Sequence, residues 1–479
     1  MDNINKSLIN LNFHIKIKFF TLIIFISLSC SSNLRILELK KSYFIQEKIE
    51  NILKRLELNT STGIKIISLE SKKVLFSKNE KKLFSPASNM KLLTGAAAIE
   101  LLTPNYKFKT IVYNHKNNII FSGSGDPTFE HRHLDSLAKI ISLKFKNIDT
   151  LFIETKKMDS LEYGNGWMWD EGSEEYSAAI NTFIVDKNCI TFECLPSTIG
   201  KPAIIQFTPH MDEVIIDNVS LTVNDTLDFL KLKIERDWLN QKNNFSIFGE
   251  IKVDSKPDTL IKNIYNPNLF NAKLFKKYLI SYGLEVDEIR MIRKWEKKMD
   301  TLAIHESKNL SVIIEKMMHE SDNQIAEVLI RTLGLKNYQN GSAKYGIKSV
   351  KSFMFDKAKI DTSSLRMADG SGLSRYNLLS VDQIINLLSY MDNSPQSKTF
   401  KHSLPNGGDR GSRLENRMIS FGEKVMAKTG GLSGVSSLSG YLDSESLGPL
   451  AFSIIINGYV GSSDPYRLLQ DEICEVFTK

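Results

Sequence analysis

The clearest structural signal in the chain is FSPASNMKLLTGAAAIELLTP, residues 84–104. The Pro and Ser residues near its start are typical of a turn, and the apolar run that follows predicts a buried helix. The helix is expected to end before Pro104, because the residue that precedes a proline disfavours helical geometry. Ser88 and Lys91 stand three residues apart, so the helix places the hydroxyl and the amine on one face. The amine can accept the hydroxyl proton there, which makes Ser88 a candidate nucleophile.

Strand patterns stand at both ends of the chain. Residues 63–70 and 73–77 indicate two strands joined by a short polar turn. An amphipathic helix is predicted over residues 466–477. Three strand patterns before it can pair as a meander, at residues 424–428, 437–442 and 450–456. We therefore expect one sheet built from both termini, with helices packed on it.

The middle of the chain has a different sequence pattern. Residues 106–284 carry short β-like runs separated by Gly, Asn and Asp turns, which predicts an inserted β-rich domain. Helical periodicity returns after it, and Ser380 with Gln383 forms a capping box for a later helix. The expected fold class is α/β (α+β), with a main domain made from residues 34–105 and 285–479.

Composition limits the classes of protein that this chain can be. It has 479 residues, enough for two or three domains, of which 42% are apolar and 24% charged. These fractions argue against a disordered chain and against a polytopic membrane protein. The net charge of +7, from 62 basic and 55 acidic residues, fits an anionic wall or membrane surface weakly and gives no support for a nucleic-acid partner.

The N-terminus has the order of an export signal. Lys16 and Lys18 precede the apolar run 19–26, and small residues then lead to Cys30. The apolar run is too short to span a bilayer, which favours a cleaved signal peptide over residues 1–30. The Leu-Ser-Cys ending resembles a lipobox, and Cys30 is then the lipidated first residue of a membrane-anchored lipoprotein. The alternative is ordinary secretion to the periplasm, with Cys30 incidental.

The remaining cysteines are Cys189, Cys194 and Cys474. Three thiols in a large exported chain are too few for a disulfide scaffold. Cys189 and Cys194 are close enough in sequence to pair, but an odd separation along a strand points them to opposite faces. We expect all three to be buried packing residues. None has the spacing of metal ligands, and no metal or organic cofactor is expected.

Two further motifs join the Ser88 and Lys91 pair. Residues 321–323, Ser-Asp-Asn, lie between two predicted helices and offer a hydroxyl and an amide. Residues 428–430, Lys-Thr-Gly, lie at the end of a predicted edge strand and offer a cation, a hydroxyl and a glycine. Ser136 and Lys139 repeat the first spacing, but no turn and no buried helix frame them, so we interpret that copy as a surface helix.

The three motifs in this order resemble the signature of penicillin-binding proteins and class A β-lactamases. The long stretch between the first two motifs is similar to that of the S13 peptidases, the low-molecular-mass class C penicillin-binding proteins. The resemblance covers nearly everything after about residue 45. Five strings carry it: GSGDP at 123–127, GWMWD at 166–170, SDNQIAE at 321–327, DGSGLSR at 369–375 and AKTG at 427–430. One departure is Gly431, where the family usually has Thr.

This resemblance implies a serine β-lactamase/transpeptidase-like domain with the β-rich domain inserted between its first two motifs. It also implies an activity on peptidoglycan stem peptides. Ser88 attacks a D-Ala–D-Ala bond as a carboxypeptidase, or a D-Ala–diaminopimelate bond as an endopeptidase, with Lys91 as general base. Ser321 passes a proton to the leaving amine, while Asn323 holds the substrate backbone and Lys91. β-Lactam antibiotics are then covalent inhibitors of Ser88.

The resemblance also implies a set of binding groups. Lys428 and Thr429 bind the terminal carboxylate, with Gly430 giving the substrate backbone room. The N–H groups of Ser88 and Gly431 form the oxyanion hole.

A pocket for the diaminopimelate side chain is implied as well. It combines Asp126 and Arg375 as charged groups with Leu373 and Leu432 as apolar walls. The alternative is that Asp126 caps a turn and Arg375 lies on the surface.

Two other functions remain open from the sequence. A β-lactamase would share the three motifs, but the long insertion and the lack of an obvious deacylating carboxylate motif disfavour it. A non-catalytic peptidoglycan-binding lipoprotein on the same scaffold is disfavoured by the intact nucleophile, base and cation.

Overall fold

The computed structural model describes residues 43–55, 60–224 and 229–478. The predicted signal peptide and Cys30 lie outside these residues. The strands are β1 Ser61–Ser68, β2 Val74–Lys78, β3 Lys109–His115, β4 Asn118–Ser122, β5 Asn147–Glu154, β6 Cys189–Leu195, β7 Ile204–Thr208, β8 Ile215–Asn218, β9 Leu221–Val223, β10 Lys233–Arg236, β11 Asn244–Phe248, β12 Glu250–Lys252, β13 Asp258–Asn263, β14 Glu285–Ile292, β15 Asp300–Glu306, β16 Val425–Leu432, β17 Val435–Ser444 and β18 Gly448–Asn457.

The helices are α1 (residues 43–55), α2 Met90–Leu102, α3 His131–Ser142, α4 Pro267–Ser281, α5 Leu310–Glu320, α6 Asn323–Tyr338, α7 Ala343–Ser352, α8 Val381–Asp392, α9 Ser397–His402 and α10 Asp464–Thr478. The capping box predicted for Ser380 and Gln383 is confirmed, because it opens α8. The predicted C-terminal helix is confirmed as α10.

Both ends of the chain build one antiparallel sheet, as the sequence predicts. Its strand order is β16-β17-β18-β1-β2. The two ends meet where β1 pairs with β18, with Ser61 opposite Asn457 and Ser68 opposite Leu450. Strand β1 is buried at nearly every position, since helices cover both faces of the sheet. On one face the α10 residues Leu469, Ile473 and Phe477 belong to the same apolar cluster as the sheet.

Helix α2 lies at the centre of the helical layer on the other face. Its residues from Met90 to Ile99 are all buried, which is the arrangement that an apolar run without a polar face requires. Helices α5, α6 and α8 contribute to the same core. The nucleophile turn therefore enters a helix that is packed on every side.

The inserted region has its own core, built around a five-stranded sheet of order β14-β5-β4-β3-β15. Helices α3 and α4 pack in this core, and three smaller sheets are added to it. The predicted return to the main domain at residue 285 is too early. Strand β14 pairs in parallel with β5, and β15 pairs with β3, so the inserted sheet continues to Glu306. Sequence periodicity finds a strand but does not reveal its partner, which explains the error.

Three further findings concern the described residues. Cys189, Cys194 and Cys474 are buried free cysteines, which confirms their prediction as packing residues. Within the three described ranges, no helix has the length and apolar character needed to cross a membrane. No cluster of three or more His, Cys, Asp or Glu side chains in those ranges is arranged to hold a metal ion.

Candidate active site

The turn that holds Ser88 is fixed by a close approach of two backbones. Ser88 lies in a one-turn 3₁₀ helix, Ala87–Asn89, that runs directly into α2. Ala87 has a positive φ of 46°, a conformation that is costly for a residue with a side chain. Gly372 lies against this turn, since a Cβ there would be 1.9 Å from the Ala87 carbonyl oxygen. The tight turn presents the Ser88 hydroxyl at the head of a rigid helix.

Lys91 is the direct partner of Ser88. Its Nζ lies 3.0 Å from Ser88 Oγ, 2.7 Å from Asn323 Oδ1 and 2.7 Å from the Ser371 carbonyl oxygen. The last two atoms only accept hydrogen bonds, so they fix two N–H bonds of the amine. In the neutral amine the remaining lone pair then faces the Ser88 hydroxyl. Burial lowers the pKa of Lys91 to about 8, which makes this neutral form accessible near physiological pH.

The second motif occupies the junction of two helices. Ser321 follows α5 with a φ of 64°, and Asp322 caps α6 by accepting a hydrogen bond from Ile325 N at 2.9 Å. Asn323, the first residue of α6, donates through Nδ2 to the Tyr176 carbonyl oxygen at 3.0 Å. These bonds fix the amide so that its oxygen points at Lys91.

The third motif lies on β16, the edge strand of the sheet. Lys428 is fully buried, and its Nζ donates to Ser321 Oγ at 3.0 Å and to the Thr429 carbonyl oxygen at 2.9 Å. Burial holds the pKa of Lys428 well below its ordinary value, and the positive charges of Lys91 and Arg413 lower it further. The buried site therefore favours one protonated lysine over two.

Gly430 lets the edge strand lie against the nucleophile turn. A Cβ at this position would be 2.2 Å from Ser437 Oγ and 2.9 Å from Ser88 N. Ser437 Oγ itself donates to the Pro86 carbonyl oxygen at 2.7 Å, which ties the sheet to the turn. Gly431 is different, because a Cβ there meets no atom within 4 Å. The Cβ of a Thr, which the family resemblance leads us to expect at residue 431, would therefore fit there without a clash.

Two buried carboxylates hold the segment that supports Lys91. Glu327 Oε1 accepts from Gly370 N at 2.7 Å and from Ser371 N at 3.0 Å. Asp369 accepts from Ser374 N at 2.7 Å and from the Trp167 indole at 2.9 Å. Burial, with the nearby charge of Asp369, raises the pKa of Glu327 to about 7.

Both carboxylates lie in strings that carry the family resemblance, SDNQIAE and DGSGLSR, but no role was predicted for either residue. The available signal was their place in two of the strings that carry the family resemblance.

The motifs meet at one cleft with a volume of about 840 Å³. Three of the four residues expected for the side-chain pocket line it, Leu373, Arg375 and Leu432. Arg375 also donates to the Ser433 carbonyl oxygen at 3.0 Å. Among the other lining residues are Ser88, Ser321, Asn323, Thr429, Gly430 and Gly431.

The structure does not bring Asp126 to this cleft. Asp126 is buried and accepts from Thr128 N at 2.8 Å and from Thr128 Oγ1 at 2.7 Å, while its other oxygen is 3.6 Å from His305 Nε2. It caps a turn, the alternative that the sequence left open. The string GSGDP gave the position of Asp126 in the chain, but the hydrogen bonds to Thr128 determine the direction of its side chain.

Sequence reasoning missed several residues that line the cleft, notably Glu171, Tyr176 and Arg413. Glu171 follows the string GWMWD directly, and that string was the available signal for it; Tyr176 and Arg413 lie outside the strings that carry the resemblance. The second Ser-x-x-Lys copy lies elsewhere, on the exposed side of α3, where Ser136 Oγ donates to the Arg132 carbonyl oxygen at 2.9 Å. Its interpretation as a surface helix is confirmed.

These contacts define a class of enzyme. In the serine β-lactamase/transpeptidase-like enzymes, a serine hydroxyl lies beside a buried lysine at the start of a helix, and a second serine and a second lysine lie across the cleft. The chain belongs to the D-Ala-D-Ala carboxypeptidase 3 (S13) family, which it matches over residues 45–475. The family resemblance stated from the motifs is thereby confirmed.

Relatives of known function or structure agree with this assignment. The chain is 29% identical over 444 residues to a D-alanyl-D-alanine carboxypeptidase from an Actinomadura species, covering 87% of this chain and 81% of that protein. It is 26% identical over 352 residues to D-alanyl-D-alanine carboxypeptidase DacB of Haemophilus influenzae, covering 71% and 72%. The crystal structure of penicillin binding protein 4 (dacB) from Haemophilus influenzae has the same fold. Its TM-score is 0.77 at 23% identity, covering 90% of this chain and 99% of that one.

Proposed function

We propose that this chain is an exported serine peptidase that cuts D-Ala-terminated stem peptides of peptidoglycan through an acyl-enzyme on Ser88. It releases the terminal D-Ala as a carboxypeptidase and opens D-Ala–diaminopimelate cross-links as an endopeptidase. The observation that carries the proposal is the Lys91 amine 3.0 Å from Ser88 Oγ, with its two other partners both acceptors. Family membership supports the carboxypeptidase reaction.

Acylation begins with the neutral Lys91 amine. It takes the Ser88 proton while Oγ bonds to the carbonyl carbon of the penultimate D-Ala. Negative charge then develops on the carbonyl oxygen, and the N–H groups of Ser88 and Gly431 stabilise it. The C–N bond breaks, and the Ser321 hydroxyl passes a proton to the leaving amine. Ser321 then recovers a proton from the Lys91 ammonium, so Lys91 is neutral again and both groups end acylation in the states in which they began it.

The substrate carboxylate sets the charge on the two lysines. Burial and mutual repulsion lower the pKa of Lys428, so the site without substrate disfavours two ammonium groups. A substrate carboxylate bound by Lys428 and Thr429 restores the charge of Lys428. The charged Lys428 in turn favours the neutral form of Lys91, which is the form that acts as base.

Water completes the cycle by deacylation. It attacks the ester carbonyl while Lys91 accepts a proton from the water, and the same proton returns to Ser88 Oγ as the ester bond breaks. Penicillins carry a strained amide and a carboxylate, so we expect them to acylate Ser88 by the same route. A structure of the Haemophilus influenzae protein in complex with a novel β-lactam supports this ligand class.

The side chain of the stem peptide has an incomplete but suitable pocket. Arg375, between the apolar walls Leu373 and Leu432, offers a guanidinium to the carboxylate at the end of a diaminopimelate side chain. Asp126 has no part in this proposal. The acidic residues that line the cleft are Glu171 and Glu415.

The test is the release of D-Ala from a pentapeptide that ends in D-Ala-D-Ala, measured by chromatography. Wild-type protein should release D-Ala, and Ser88→Ala should reduce the rate by about 10³-fold or more, as expected when a nucleophile is removed. A cross-linked peptide dimer assayed in parallel tests the endopeptidase reaction. Substantial release of D-Ala by the folded Ser88→Ala protein would refute the Ser88 mechanism.

A further inference from the structure

Two indole rings form an exposed aromatic surface in the inserted region. Trp169 is 77% exposed, and its ring centroid lies 5.5 Å from that of the half-buried Trp238. Met168 and Leu239, next to these tryptophans in the chain, are also exposed. We call these four residues the tryptophan platform. An indole left in water is unfavourable, and clustered exposed apolar side chains commonly mark binding surfaces.

The platform is held in place by the backbone. Gly172 has a φ of 62°, and a Cβ there would lie 3.3 Å from Trp238 Nε1, so the turn packs closely against the ring. Asn263 on β13 donates to the carbonyl oxygens of Gly172 and Glu174 at 3.2 Å and 2.8 Å. The same Asn263 accepts from Arg236 Nη2 at 3.0 Å, in the strand that precedes Trp238. Both indoles therefore stand on one hydrogen-bonded scaffold.

The platform lies next to a residue of the catalytic cleft in the chain. Trp169 and Glu171 belong to the same 3₁₀ helix, and Glu171 lines the cleft. Glu171 accepts a hydrogen bond from the Tyr176 hydroxyl at 2.8 Å, and the Tyr176 carbonyl accepts from the catalytic-site residue Asn323. The platform is therefore attached to the same short segment that supplies a wall of the cleft.

The chemistry of the platform fits a neutral sugar ring. One face of a pyranose is made of C–H groups, which can be buried on an indole while the hydroxyls at the ring edge stay in water. The neighbouring acidic side chains, Asp170 and Glu171, oppose an anionic membrane or a nucleic acid. An N-acetylated sugar whose carboxyl group is joined to a peptide carries no charge and meets no such repulsion.

We propose that the tryptophan platform binds an N-acetylated sugar of the glycan strand to which the stem peptide in the cleft is attached. This inference rests on the proposed function, because it takes peptidoglycan as the substrate. The platform adds binding energy for sugar-bearing stem peptides over free peptides. It does not take part in the chemical steps at Ser88.

The experiment compares two substrates that share one pentapeptide, one free and one attached to its N-acetylated disaccharide. Trp169→Ala should raise KM for the disaccharide-bearing substrate by about 10-fold, the loss expected when apolar contact to one ring is removed, and leave kcat and the free peptide unchanged. Trp169→Phe should restore part of the difference. Phe355→Ala removes another exposed aromatic side chain, which is not among the residues that line the cleft, and should change KM for neither substrate.

Calorimetry with the disaccharide alone, its carboxyl group capped as an amide so that it carries no charge, separates this inference from the proposed function. If wild-type protein cleaves neither substrate, the proposed function fails, but weaker disaccharide binding by Trp169→Ala would still support the platform. Equal KM for the two substrates in wild type, or equal losses on both in Trp169→Ala, would overturn the inference. So would a change of oligomeric state or of binding to lipid vesicles in Trp169→Ala without any effect on the disaccharide.

Discussion

At the scale of single residues, the chemistry of the site depends on the protonation states of its two lysines, which disfavour two positive charges at once. Lys91 and Lys428 are both buried, and each has a pKa below its ordinary value for that reason. Lys91 has partners that leave its lone pair for Ser88, whereas Lys428 faces Ser321. The identity of these residues was predicted from three short motifs. The pairing of Lys91 with Ser88 was also predicted, from their spacing on one helix. The contact of Lys428 with Ser321 needed the structure, because the two motifs are far apart in the sequence.

The protonation state of Lys91 should control the rate of acylation. Its pKa is about 8, and the base must be neutral, so protonation removes activity as the pH falls. We expect the second-order rate constant for acylation by a penicillin to rise about 10-fold per pH unit below about 8 and to level off above it. Stopped-flow or quenched-flow labelling across the pH range measures this. A rate that is flat from about pH 6 to about pH 9 would contradict Lys91 as the base.

Glu327 should influence Lys91 through position and charge. It holds the Gly370 and Ser371 amides, and its negative charge raises the pKa of Lys91 against the larger effect of burial. Glu327→Gln keeps an acceptor oxygen but removes that charge. The acid limb of the acylation profile should therefore move to lower pH. A variant that loses rate equally at every pH, with an unmoved limb, would show that Glu327 acts only through structure.

At the scale of elements, the site is made where a helix, a loop between helices and an edge strand meet. The sequence predicted all three elements, because α2, the junction of α5 and α6, and β16 each have strong local patterns. It failed where an element depends on a distant partner. The sequences of β14 and β15 predict strands but do not show which sheet they join. Their pairing with β5 and β3 assigns them to the inserted sheet.

The contact of β16 with the nucleophile turn can be tested by adding one methyl group. Gly430→Ala places a Cβ 2.2 Å from Ser437 Oγ and 2.9 Å from Ser88 N, so the strand must move away from Ser88. We expect acylation to slow by about 10-fold or more, since small misplacements at a reacting centre are costly. Gly431→Ala is the matched control, because its Cβ meets no atom within 4 Å and its N–H is kept. Equal effects of the two substitutions on penicillin labelling would contradict the close-contact argument.

At the scale of the whole molecule, the two ends of the chain form one catalytic sheet and the middle forms a separate core. This organisation was predictable because short strand patterns with Gly, Asn and Asp turns replace the helical patterns in the middle of the chain. The side-chain pocket was only partly predictable. Leu373, Arg375 and Leu432 line the cleft as expected, but Asp126 does not, because its carboxylate is used by Thr128. Glu171 and Tyr176, which do line it, come from two short 3₁₀ helices of the inserted region, and only Glu171 adjoins a string that the sequence analysis identified.

The anchoring of the mature protein is a further prediction at this scale. A basic start, a short apolar core and a Ser-Cys junction occur in order before residue 31, which favours a lipid on Cys30. Cys30→Ala should move the protein from the membrane fraction to the soluble periplasmic fraction, as followed by cell fractionation and blotting. Wild-type protein that is already soluble there would contradict the lipid anchor while leaving the catalytic proposal intact.

The central claim is that Ser88 is the acylated nucleophile, and peptide mapping of the penicillin-treated protein by mass spectrometry tests it most directly. The intact protein should gain one penicilloyl group, carried by the peptide that contains Ser88. Ser136→Ala, which changes the serine of the exposed Ser-x-x-Lys copy on α3, should label like wild type. Ser88→Ala should not label. A penicilloyl group on any other serine of the wild-type protein, or no covalent adduct at all, would contradict the account.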